Sequence, residues 1–151
     1  MARRQSMGRL NVDPIVQFLL REKDFNSEGE ARQAIDAMLQ WLAAHAVKPR
    51  ELLYVMLHGP VDKAWHAFLL HTEMYHVFCT HYVGFFVHHT PLDAEKADEF
   101  EVLGGIKSTI DFLTESFGDD LSPQLVQWRE QFLVGNLKIS AVSCVGNGYG
   151  D

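Results

Sequence analysis

The sequence predicts an all-α fold: a single-domain bundle of five or six helices around a central hydrophobic helix. Three observations predict it. The 151 residues suit one core of ordinary size. Hydrophobic residues make up 47% and charged residues 22%, the balance of a globular chain. Apolar side chains recur at three- and four-residue steps behind recognisable helix starts. The organisation expected is a flexible arm over 1–11, a helical domain over 12–134 and a glycine-containing tail over 135–151.

Each element has its own local reason. Asp13 and Pro14 form a cap and first-turn pair, with Ile15, Phe18 and Leu19 as the apolar face. Ser27 and Glu30 make a capping box, and Ala31, Ala34, Ile35, Met38, Trp41 and Leu42 follow at helical spacing. Pro49 opens a third short helical run through Met56, which Gly59 and Pro60 break. Residues 60–82 hold no further breaker and are apolar on most sides, as a core helix would be. Gly84 ends that helix, and 85–91 read as extended. Asp93 caps the next helix, through Phe100, Leu103, Ile106, Ile110, Leu113 and Phe117, with Gly104 and Gly105 inside it as marks of close packing or a kink. Ser122 and Pro123 start the last helix, through Leu125, Trp128 and Phe132, and the tail beyond Gly135 reads as loop.

The charge balance narrows the partners. Twenty acidic residues against 13 basic ones give a net charge of -7, which argues against a nucleic-acid surface built from clustered cations. Arg3, Arg4 and Arg9 precede no apolar run of the secretory kind, and no segment approaches the roughly 20 apolar residues a bilayer crossing needs. A cytoplasmic protein without nucleic-acid or membrane partners is expected, with Cys79 and Cys144 reduced. Phosphate-binding glycine loops, HExxH and GxSxG are all missing.

Histidine is the unusual residue. Seven of the eight fall between His58 and His89. On a helix Asp62 and His66 lie one turn apart on one face, where they can chelate an ion, and Leu69, Glu73 and His76 continue the stripe. His71 points away from it. His58 sits just before the break at Gly59, and His88 and His89 return after Gly84. Neutral imidazoles with a carboxylate suit a divalent transition metal, zinc or iron first. The candidate ligands are therefore Asp62, His66, His88 and His89, with His58 in reserve. Against this stands a length argument: a straight helix from Asp62 to Gly84 rises about 33 Å at about 1.5 Å per residue, and five extended residues recover only about 16 Å. One site thus requires the helix to end early or bend. An alternative set of Glu73, His76 and His88 or His89 needs no bend. The plain structural reading of Asp62 and His66 is a helix-start carboxylate bonded to a histidine one turn on. Trp65, Tyr75 and Phe78 read as core, Cys79 as a buried thiol, and His45 as a helix-end histidine.

The segment VDKAWHAFLLHTEMYHVFCTHYVGFFVHHTP resembles the signature of the glycine-rich domain-containing protein-like family. The resemblance rests on Asp62, Trp65, His66, Thr72, Tyr75, Cys79, Gly84, His88, His89 and Pro91. It implies that Asp62, His66, His88 and His89 belong to one signature and assigns no reaction; the long glycine-rich region of the plant relatives is not in this chain. Two functions follow as expectations. One is a metal-binding helical protein of undefined reaction, with an unknown protein or small-molecule partner. The other is a non-catalytic helical interaction module whose histidines form a buried polar network. The tail with Cys144 is a third candidate, as a flexible recognition segment.

Overall fold

A computed structural model describes residues 10–92 and 98–147. Helix α1 (Asp13–Arg21) buries Ile15, Val16 and Leu19. Asp13 occupies its first turn, not the cap, and its N–H donates to Asn11 Oδ1 at 3.1 Å. Helix α2 (Glu28–Ala43) starts as expected, with Ser27 Oγ accepting the Glu30 N–H at 3.2 Å. Every residue from Ala37 to Ala43 is buried, so α2 is the most enclosed helix.

The chain is not all-α. A three-stranded antiparallel sheet of order β1–β3–β2 is formed by β1 (Val55–Leu57), β2 (His88–Pro91) and β3 (Val142–Asn147). Cys144 in β3 stands opposite Met56 on one side and Pro91 on the other. The run expected as a third helix therefore ends in β1, and the tail expected as loop supplies the central strand. Strands this short acquire their hydrogen bonds only from segments far away in sequence, which a local pattern cannot report. Side chains also complete β1: Thr109 Oγ1 accepts the Val55 N–H at 2.9 Å and Trp41 Nε1 donates to Val55 O at 3.0 Å.

The expected long helix over 60–82 is broken. Helix α3 (Pro60–Leu70) ends where His71 takes φ -89 and ψ 67, and α4 (Thr72–Phe78) runs on into a π-turn (Cys79–Val83) closed by Gly84 at φ 98. The cause lies in His71 itself. Its Nδ1 sits 2.7 Å from Ala67 O, the carbonyl a continuing helix would offer to its backbone, while its N–H goes to Phe68 O at 2.9 Å. A side chain has replaced one rung of the ladder.

Helix α5 (Glu99–Phe117) begins at Asp98, whose Oδ1 accepts the Phe100 and Glu101 N–H groups; the expected cap Asp93 lies outside the described residues. Gly105 marks close packing, since a Cβ there would stand 2.7 Å from Leu53 Cδ2, whereas Gly104 faces open space. Helix α6 (Pro123–Leu133) is tied to α2 by Gln40, which donates to Asp120 O at 2.8 Å and accepts the Ser122 N–H at 2.7 Å. No described helix is long and apolar enough to cross a membrane.

Candidate metal centre

The break at His71 answers the length argument, because the chain leaves the axis of α3 after Leu70 and returns along a different path. Two buried groups fix that path. Tyr75 Oη donates to Val87 O at 2.6 Å and accepts the Trp65 Nε1–H at 3.2 Å, which joins α3, α4 and the approach to β2. Trp65 also meets the His89 ring edge-on at 4.7 Å. Trp65 and Tyr75 are core residues that also position the His89 imidazole.

Asp62, His66, His89 and Cys144 converge. Each offers one ligand atom, and all four atoms lie within 4.8 Å of one another. His66 Nε2 is 3.2 Å from Asp62 Oδ1 and 3.0 Å from His89 Nε2, and Cys144 Sγ is 3.7 Å from Asp62 Oδ1. A tetrahedral zinc ion with bonds of about 2.0–2.3 Å sets its donors about 3.3–3.7 Å apart, so these spacings are close to those of a ligand shell. Ser143 Oγ donates to Asp62 Oδ2 at 2.9 Å and leaves Oδ1 to face the other three, the kind of outer support that orients a ligating carboxylate.

Burial decides the charge states. It lowers the His89 pKa, with His66 adding to the effect, and so favours the neutral imidazole a metal requires. It pushes the Cys144 thiol up to about 12, and the Asp62 carboxylate pushes the same way. Cys144 is thus a neutral thiol unless a cation stands beside it.

The remaining candidates stand outside this four-residue group. His58 Nδ1 is 4.0 Å from Asp62 Oδ2, with its side chain largely in solvent. His88 and His89 alternate across the pleat of β2, so His88 is exposed and rests against Phe86 at 5.0 Å between ring centroids. Glu73 lines a shallow cleft with His71 and Met74, and His76 sits near Phe86; among the described residues neither belongs to a ligand group. Cys79 is buried, and burial raises its pKa. The fourth donor, Cys144, escaped sequence reasoning. Its signal was the short Val142-Ser143-Cys144-Val145 run, bounded by two β-branched valines and hidden among tail glycines.

Fold and ligand set together define a small helical protein with an antiparallel sheet and a mixed carboxylate, imidazole and thiol cluster able to hold a metal ion. Residues 4–116 match the UCP032817-like family, and the chain belongs to it. This corrects the resemblance drawn from the histidine segment: the match is to that family, and nothing indicates a glycine-rich domain-containing one. No curated protein and no solved structure matches the chain. Cys144 lies beyond the matched residues, whereas Asp62, His66 and His89 lie within them.

Proposed function

We propose that the protein binds a divalent transition metal, zinc ahead of iron, through Asp62 Oδ1, His66 Nε2, His89 Nε2 and Cys144 Sγ. The carrying observation is a shortage of protons. His66 Nε2 bears either one hydrogen or one lone pair, yet it faces both a carboxylate oxygen at 3.2 Å and a second imidazole nitrogen at 3.0 Å. Whichever neighbour His66 Nε2 bonds, it faces the other with no proton between them, even with Cys144 Sγ donating to Asp62 Oδ1; a cation at the centre serves all four donors. The thiolate favours zinc, because sulfur and nitrogen donors in a four-ligand set are its usual company, while iron sites of the two-histidine, one-carboxylate kind lack the sulfur. Bound there, zinc would tie α3 to both β2 and β3. The interaction-module reading takes the same contacts as a polar network, with Cys144 Sγ donating to Asp62 Oδ1 and His66 bonded to His89, and leaves His66 Nε2 one hydrogen short for its two neighbours.

Metal analysis of protein prepared without a histidine tag tests this. About one zinc per chain is expected, with loss in Cys144→Ala and His89→Ala and retention in His88→Ala. A wild-type protein that stays metal-free after incubation with zinc, iron and cobalt would end the proposal.

A further inference from the structure

The four donors differ in how an ion can reach them. The Asp62 side chain is 7% exposed and Cys144 is buried; His89 packs on Trp65. His66 is the open member, with 47% of its side chain in solvent. His58, 63% exposed and just before the helix, also approaches Asp62, so two imidazoles four positions before and after it face the two oxygens of its carboxylate. The solvent side of the cluster is therefore made of two histidines, of which the ligand set uses only one.

His58 is placed for a role in transit. Its backbone is fixed, since its N–H donates to Ala141 O at 2.8 Å and the next residue, Gly59, turns the chain into α3 at φ 134. Its ring projects largely into solvent from that anchored Cα. The 4.0 Å between His58 Nδ1 and Asp62 Oδ2 is a few tenths of an ångström beyond the donor spacing around a tetrahedral zinc, so a small turn of the exposed His58 ring lets an ion bridge them without backbone movement. Asp62 Oδ2 can accept from Ser143 and still offer its second lone pair to that ion.

We propose that His58 is a transfer ligand: it takes the ion from solvent together with Asp62 Oδ2 and hands it across the carboxylate to Oδ1, where His66, His89 and Cys144 close around it. The proposal rests on the metal-binding reading above. The ion exchanges its waters for protein donors in steps, and the same route runs backwards on release. A contact made along the route but in neither end state lowers the barrier in both directions equally and leaves the equilibrium alone.

Stopped-flow zinc binding and release, followed against a fluorescent chelator on the full untagged chain, provides the test. His58→Ala and His58→Gln should slow uptake and release by the same factor, about tenfold, with the dissociation constant within about twofold of wild type. Free imidazole in the buffer should restore the rates of His58→Ala, a rescue that a structural role would not give. Unchanged rates in both variants overturn the transfer role, and so does a weaker affinity at unchanged uptake rate, which would make His58 a resident ligand. In both outcomes the wild type still holds zinc and the metal site stands. A wild type that takes no zinc removes the site and this role with it.

Discussion

His45 and the His66–His89 pair show how differently one residue type is used within a single small fold. His45 is fully buried in an aromatic box, edge-on to Trp41 at 4.9 Å and to Tyr54 at 4.7 Å. Its Nδ1 bonds to Leu42 O at 3.0 Å, and its Nε2 has no hydrogen-bond partner among the described residues. Desolvation holds its pKa near 3, so it is neutral and remains so at any ordinary pH. His66 and His89 instead turn Nε2 atoms toward each other beside a carboxylate and a thiol. The lesson is that a nitrogen facing packed carbon marks a structural histidine, whereas nitrogens facing one another beside a carboxylate and a thiol mark a candidate ligand pair.

The largest effect expected concerns the ion. A chelator should destabilise the wild type by about 3–4 kcal/mol at free zinc of 100–1,000 times the dissociation constant, and should leave Cys144→Ala unmoved. Thermal unfolding with and without chelator measures this, and equal melting of the two proteins in zinc would erase the contrast between the two histidine environments. Next comes Gly146→Ala. A Cβ at Gly146 would stand 2.5 Å from His45 Nε2 and from the Trp41 ring, both locked in the box, so overpacking should cost about 2–3 kcal/mol in a urea titration.

Per pH unit, a smaller effect isolates His45. Its folded-state pKa of about 3 lies below the unfolded value of about 6.5, so between those values the unfolded chain binds a proton that the folded one refuses. The stability associated with neutral His45 is fully present above about pH 6.5 and declines as pH falls toward 3, by at most about 1.4 kcal/mol per pH unit. His45→Phe should flatten that part of the pH–stability curve, and an unaltered slope would place the acid sensitivity elsewhere. The smallest effect belongs to His88→Ala, within about 0.5 kcal/mol and without change in metal content, because its ring lies on the other face of β2 from His89.

Much of the helical framework was legible because its cues are local. Ser27 with Glu30, Pro60 after Gly59, and Pro123 after Ser122 each mark a helix start where the structure has one. Of the sheet only β2 was legible, inside the 85–91 segment read as extended; Val55 becomes a strand residue only by meeting Val145, and nothing in either segment names the other. The break at His71 was hidden for another reason. Its cause is one imidazole turned back on a carbonyl of its own helix, a choice between rotamers that no periodicity encodes. For the centre, Asp62 and His66 share a helix face by spacing alone, and His89 was within view as half of a pair. The pleat then separated His89 from His88, and Cys144 was unreadable as a donor without the sheet that carries it.

Cys144 lies 82 positions after Asp62, and the strand that carries it closes the middle of the sheet. During synthesis, then, the centre has to wait: a ribosome-bound chain interrupted before residue 144 carries three donors and a gap. On the metal-binding proposal, occupancy by an ion would therefore separate a chain extended past residue 144 from a shorter one that already has most of its helices.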